Sequence, residues 1–291
     1  MHVSFIGLGL IAGAIAQALR SNEAAAGWTM AAWSPSGRGP RQAYVDGVID
    51  VVATTPEEAL AGAELVVLAG PATACLSSLD ALAGTWSQAL DPTAVVTDVA
   101  STKSMIVDRA NATGIRFVGG HPMAGLETAG YRSGTADLFV GRPWVIVPGS
   151  VAGPTDIGRV ADLANACSAI VTIMDADTHD RAVSAISHLP LIVAAALVES
   201  VTSGGDGPAD LWPIASSLAA GGWRDTTRVA LGDPSMGAAI AVTNASELAA
   251  RVRDLRDALD RWIVELERAG GPDEEAIRDR LMAARAAIDT A

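Results

Sequence analysis

The segment Gly7-Leu8-Gly9-Leu10-Ile11-Ala12-Gly13 limits the possible fold more than any other stretch of the chain. It follows a short apolar run at residues 2–6 and opens an Ala-rich segment that reads as a helix over 10–20. A strand that turns at once into a helix needs glycine where the backbone reverses. A second glycine lets a ligand approach the main chain closely. The free N–H groups and the dipole at the helix start then favour an anion such as a pyrophosphate. Ala12 takes the third small position of the motif, where alanine is a permitted substitute. The alternative is an ordinary glycine-bearing turn, but the strand–turn–helix context favours a dinucleotide site contacted by Gly7, Gly9, Leu10 and Ile11.

Further strands are expected at residues 29–33, 64–69 and 94–98, from Phe117 onward, and at 144–147. Their β-branched residues run continuously, the pattern of strands covered on both faces of a parallel sheet. The expected fold is therefore α/β, with a Rossmann-like doubly wound parallel sheet over residues 1–152. From 153 to 291 the texture changes to Ala, Leu, Val and charged residues at helical spacing, with one further strand expected near 169–174. A long amphipathic helix is expected over 245–269 and a last one from 273 to about 288. So apolar a helical half is expected to cover itself with a second copy of the chain, giving a homodimer; a self-contained bundle is the alternative.

Composition narrows the function. Of 291 residues, half are hydrophobic, and the net charge is −13. That charge argues against nucleic acid and against anionic membrane surfaces. No run approaches the roughly 18 uninterrupted apolar residues of a membrane helix. The start of the chain enters a strand with no basic leader, so a cytoplasmic protein is expected. Cys75 and Cys167 are too few for a disulfide framework or a zinc site and read as small buried hydrophobes. An anionic ligand must therefore find local arginines and helix N-termini against an acidic background.

The end of the second expected strand bears on which dinucleotide binds. An NAD site usually places a carboxylate there for the ribose 2′-hydroxyl. Here the chain reads Trp33-Ser34-Pro35-Ser36-Gly37-Arg38-Gly39-Pro40-Arg41. Hydroxyls and arginines without an acid suit a 2′-phosphate, so NADP is expected, bound through Ser34, Ser36, Arg38 and Arg41, with NAD as the alternative.

The chemistry points to Gly119-Gly120-His121-Pro122-Met123-Ala124-Gly125-Leu126-Glu127. A histidine on such a stiff turn has its ring direction fixed by the backbone, which suits a proton acceptor. Asp98-Val99-Ala100-Ser101-Thr102-Lys103, Thr178-His179-Asp180, Ser187-His188-Leu189-Pro190 and the run from Gly221 to Arg228 follow in order. In this order and spacing the chain resembles the prephenate and arogenate dehydrogenases of tyrosine biosynthesis, from Gly7 to about Asn244. The most specific parts are the blocks at 121–127 and 187–190.

The resemblance implies a dinucleotide-binding domain followed by a helical substrate and dimerisation domain. It implies oxidative decarboxylation of a cyclohexadienol: hydride passes to NAD(P), carbon dioxide leaves and the ring becomes aromatic. By the same resemblance, His121 polarises the ring hydroxyl, Ser101 assists it, Arg228 binds a substrate carboxylate, and Glu127 and His188 lie by the substrate. Plainer readings stand beside these: Ser101 as a helix cap, Arg228 as a surface ion pair, Glu127 as a helix-start residue, His188 as a residue ordering its helix, His179 as a helix-start residue, and Lys103 as a solvated lysine.

The chain departs from the family pattern in three places. Leu191 stands where many members have a second histidine, Gly237 where many have an aromatic residue, and Ser34 where an acid is common. The first two fall at the side-chain end of the substrate, where prephenate and arogenate differ; prephenate is the commoner family reading. Two rivals remain: another NADP-dependent oxidoreductase acting on a hydroxy acid or imine, and a non-catalytic dinucleotide-sensing dimer.

Overall fold

The computed structural model describes residues 1–126, 128–202 and 212–289. Two compact units divide the chain, Met1–Ala245 and Ser246–Ala291.

The first unit is built on five parallel strands: β1 (His2–Ile6), β2 (Thr29–Trp33), β3 (Val51–Val52), β4 (Leu65–Leu68) and β5 (Val95–Asp98), in the order β3-β2-β1-β4-β5. Helices α1 (Leu10–Ser21), α2 (Arg38–Val45), α3 (Pro56–Leu60) and α4 (Ala72–Ala83) make the crossovers. All four residues of β4 and of β5 are buried, as the continuous apolar runs require. Phe5, Val67 and Val95 belong to one core cluster, and Val66, Val96 and Phe117 to a second. Cys75 and Cys167 are free and buried, and burial pushes both thiols up to about 12.

After β5 comes α5 (Ser104–Thr113), then β6 (Val118–Pro122), β7 (Pro143–Pro148), α6 (Pro154–Ala166) and β8 (Ile170–Ile173). Phe117 bridges Val96 in parallel, so β6 runs in the same direction as β5. The parallel sheet expected over residues 1–152 is formed by β1–β5; the correction falls beyond it, where β6, β7 and β8 form a separate three-stranded sheet in which β7 pairs antiparallel to β6. A run of β-branched residues looks the same in either direction. Only the connection differs, and the described part of 123–142 holds a single short turn, Tyr131–Ser133, and no crossover helix. The strand expected near 169–174 is β8, parallel to β7.

The chain then becomes helical: α7 (Ala176–Val183), a π turn (Ser184–His188), α8 (Leu189–Thr202), α9 (Trp212–Ser217), α10 (Gly221–Thr227), a 3-10 turn (Arg228–Leu231) and α11 (Pro234–Thr243). Asp175 and Asp233 cap α7 and α11 through their carboxylates, and Pro234 takes the first position of α11. One stretch, Ala176–Thr202, is by length and composition apolar enough to cross a membrane, although it is not an uninterrupted apolar run. Its first part, however, carries His179, Asp180 and His188, all buried and hydrogen-bonded within this unit.

The second unit holds most of α12 (Ala245–Leu266) and α13 (Glu274–Asp289). Asp273 accepts hydrogen bonds from the backbone N–H groups of Glu275 and Ala276, starting α13. Arg280 stacks over the Trp262 ring at 3.9 Å, joining the two helices.

Candidate active site

The glycine turn is as its sequence demands. Gly7 has φ +100° and donates its N–H to Trp33 O at 2.7 Å, drawing the ends of β1 and β2 together. Gly9 begins α1 with no side-chain cap, so the N–H groups around Leu10 and Ile11 have no side-chain acceptor there. The start of α2 packs hard on this turn: a Cβ on Gly39 would overlap the carbonyl oxygen of Leu8.

Beside the turn lies a cavity of about 680 Å³, lined on one wall by Leu8, Gly9, Ser34, Ser36 and Arg38, and on the other by Gly130, Tyr131 and Arg132. No acidic residue is among its described lining residues. Of the two expected arginines only Arg38 lines it. Arg41 donates from Nη2 to Ser36 O at 2.9 Å, bracing the loop from outside. Arg132 is a basic group on this cavity that the sequence did not single out.

At the C-terminal ends of the same parallel strands, β5 ends on Asp98, and β6, which adjoins β5 through the Val96–Phe117 bridge, carries His121. Asp98 is fully buried and paired with Lys103, itself fully buried, so Lys103 is no solvated lysine. Asp98 Oδ1 accepts from Gly120 N at 3.1 Å and Oδ2 from Ala100 N at 3.0 Å, fixing the backbone on either side of the site.

His121 is 8 % exposed. Its Nδ1 lies 2.8 Å from Nε2 of His179, whose Nδ1 lies 2.7 Å from Asp180 Oδ1. The two rings meet edge to face at 5.0 Å. Asp180 also receives Lys103 N on Oδ1 at 2.7 Å and Ser104 N on Oδ2 at 2.9 Å. It thereby does for α5 what a capping side chain would, since α5 has no cap of its own. Ser101 is therefore not that cap; it stands half-buried just before it.

Burial, then the neighbouring His179, Lys103 and His188, hold the His121 pKa well below the usual imidazole value. Burial opposes ionisation of Asp180, yet the hydrogen bonds from His179, Ser104 and Lys103 outweigh it and lower its pKa. His121 is thus neutral and Asp180 charged at neutral pH.

The remaining expected residues are more scattered. His188 is buried, faces Asn244 Nδ2 at 3.1 Å, and is held by burial at a pKa of about 4. Asn244 also donates to Asp180 O at 2.9 Å, so it links His188 to the backbone of Asp180. Arg228 is exposed, on the 3-10 turn after α10. Glu127 lies outside the described residues. Leu191 and Gly237, the two departures from the family pattern, are neighbours: a Cβ on Gly237 would stand 3.3 Å from Leu191 Cδ2.

Residues 16–173 match the nucleotide-binding domain of prephenate dehydrogenase, and residues 175–281 match its dimerisation domain. The chain belongs to the prephenate dehydrogenase family. The prephenate dehydrogenase of Bacillus subtilis is 32 % identical over 265 residues, covering 90 % of this chain and 67 % of that protein. The cyclohexadienyl dehydrogenase of Zymomonas mobilis is 28 % identical over 269 residues, covering 92 % and 86 %. The solved arogenate dehydrogenase of Synechocystis superposes with a TM-score of 0.79 at 29 % identity, covering 100 % of this chain and 99 % of that one. The chain thus spans about two thirds of the Bacillus protein but nearly all of the Synechocystis structure. Membership makes it a dehydrogenase of the NAD(P)-dependent class, with a nucleotide-binding part and a dimerisation part.

Proposed function

We propose that this chain oxidatively decarboxylates prephenate to 4-hydroxyphenylpyruvate with NADP as hydride acceptor, acting as a homodimer in tyrosine biosynthesis. The observation that carries the reading is a buried histidine, His121, on the strand that adjoins the sheet whose glycine turn makes a dinucleotide site. Ligands of open α/β sheets bind at the C-terminal ends of the strands.

The Gly7–Gly9 turn and the start of α1 would hold the pyrophosphate. NADP is favoured over NAD by Ser34, Ser36 and Arg38 on one wall of the cavity and Arg132 on the other, with no described acid between them. When bound, the nicotinamide supplies the hydride acceptor. The chain's own task is to take the hydroxyl proton, hold the ring and exclude water. His121 accepts the proton, an effect worth about 10²–10⁴-fold. Ser101 helps to orient the hydroxyl, Arg228 clamps a substrate carboxylate, and Glu127, as the family resemblance implies, orients neighbouring groups. His188 supports the site through Asn244. Loss of carbon dioxide and aromatisation supply the driving force, so positioning is the main work of the protein.

The homodimer is favoured by exposed apolar residues on the helical half, with Ile186 at 72 % and Leu218 at 76 %. Prephenate and arogenate differ at the side-chain end, where Leu191 and Gly237 form a patch without a polar side chain. The test crosses prephenate and arogenate with NADP and NAD and follows reduced nicotinamide. Fastest turnover with prephenate and NADP supports the reading; fastest turnover with arogenate moves the substrate assignment. Silence in all four, with NADP binding seen by calorimetry, overturns the reaction.

A further inference from the structure

We infer that His179 and Asp180 are positioning residues that set the tautomer of His121 and take over its proton during turnover. This rests on the catalytic role proposed for His121. A carboxylate can only accept hydrogen bonds. Asp180 Oδ1 at 2.7 Å therefore requires the His179 Nδ1 to carry a hydrogen. In the neutral ring, His179 Nε2 is then an acceptor, and at 2.8 Å it requires hydrogen on His121 Nδ1. His121 is left with a lone pair on Nε2, the nitrogen that receives no hydrogen bond from any described residue.

The chain of three groups thus converts a fixed negative charge into a proton acceptor at one stated atom. Its fixed end is rigid, because Asp180 is held by the backbone N–H groups of Lys103 and Ser104 as well as by His179. The same Lys103 binds Asp98, which holds Gly120, the residue before His121. Both ends of the relay are therefore tied to one buried lysine.

During turnover the substrate O–H bond breaks and an N–H bond forms at His121 Nε2. The electron pair left on oxygen forms the carbonyl as hydride leaves for the cofactor. The hydrogen on His121 Nδ1 passes to His179 Nε2, breaking one N–H bond and forming another. The positive charge then rests on His179 beside Asp180, not on His121 beside Lys103. Besides His179, the titratable groups facing His121 are Lys103 at the start of α5 and His188 on the π turn; Asp98 neutralises Lys103, and Asp180 lies behind His179.

The experiment compares Asp180→Asn, Asp180→Ala and His179→Gln with the parent in the full-length protein. An asparagine amide that donates to His179 reverses both hydrogen bonds and leaves His121 with hydrogen on Nε2. Imidazole ¹⁵N shifts of the substrate-free protein should then show His121 switching from the Nδ1–H to the Nε2–H form. With prephenate, kcat should fall by about 10⁴-fold, the size seen when an aspartate that orients a catalytic histidine is made amide. NADP affinity should stay as in the parent. Loss of the carboxylate charge should also carry the acid limb of kcat/KM to lower pH.

His179→Gln leaves the Asp180 bonds to α5 in place and can still accept from His121 Nδ1–H. It should keep the tautomer, lose less activity, and reduce a two-proton solvent-isotope inventory to one proton. A His121 tautomer unchanged in Asp180→Asn, and also in Asp180→Ala where no side-chain acceptor remains, overturns the positioning role. An unchanged proton inventory in His179→Gln overturns the transfer. If neither prephenate nor arogenate turns over, the failure lies with the proposed reaction, and the ¹⁵N measurement still decides the hydrogen-bond chain.

Discussion

The sheet-based part of this chain finishes its own core, whereas the helical part does not. Every residue of β4 and β5 is buried, as are Phe5, Phe117 and Trp144. On the helical side, α9 and α10 have no buried residue, α8 has one, and Ile186, Leu218, Val242 and Val264 stand open. Burial of apolar area drives folding, at roughly 25 cal/mol per Å². The first part collects that gain within one chain, and the second needs another surface to collect it. The proposed chemistry sits where the two styles meet within the first unit: His121 comes from a buried strand, and its partner His179 from the first helix beyond the sheet.

The comparison can be broken most sharply at the chemistry. His121→Asn should reduce kcat by about 10²–10⁴-fold while NADP binding, measured by calorimetry, stays intact. Equal losses in both would mean that His121 holds the sheet together instead of taking a proton. Next in size is a contrast in stability. Phe5→Ala should cost about 3–5 kcal/mol in urea unfolding. Leu259→Ala, at a half-exposed position of α12, should change it by no more than about 0.5 kcal/mol in dilute protein. A large loss at Leu259 would show that α12 is covered even there.

Paired charges at Ile186 and Leu218 (Ile186→Glu with Leu218→Glu) should move sedimentation from dimer to monomer. A surviving dimer would put the contact elsewhere. Smaller still, Arg38→Ala and Arg132→Ala should each raise the Michaelis constant for NADP about tenfold and leave that for NAD nearly unchanged. Arg41→Ala, which loosens the loop, should weaken both nucleotides alike.

The mildest effect is on pH. The folded-state pKa of His188 is depressed to about 4, so between its ordinary value near 6.5 and 4 the unfolded chain binds more protons. Stability should therefore fall as pH drops through that window, and the slope should be shallower in His188→Gln. An unchanged slope would assign the acid sensitivity to His121.

Much of this was legible in advance, for physical reasons that differ by residue. The strands at 29–33 and 2–6 and the glycine turn could be read because their signals are local: apolar runs and a backbone reversal. The reversed β7 could not, since strand direction lies in the connection and not in the strand. His121 announced itself through its stiff surroundings. His179 looked like an ordinary helix-start residue because its partner lies 58 positions away in sequence. Lys103 looked solvated because lysine usually is, and only Asp98 in space makes its burial affordable. Arg132 carried no local pattern and is recognised only as the far wall of the cavity.

The contact between Gly39 and the Leu8 carbonyl sets a rule for anyone redesigning cofactor choice. The loop that carries Ser34, Ser36 and Arg38 is bolted to the phosphate turn, with no slack for even one methyl group at the joint. A change of nucleotide preference in either direction must therefore be written in the exposed side chains of that loop. Grafting a loop of another length or shape, or one with any residue but glycine at 39, would drag the phosphate turn along and spoil both cofactors together.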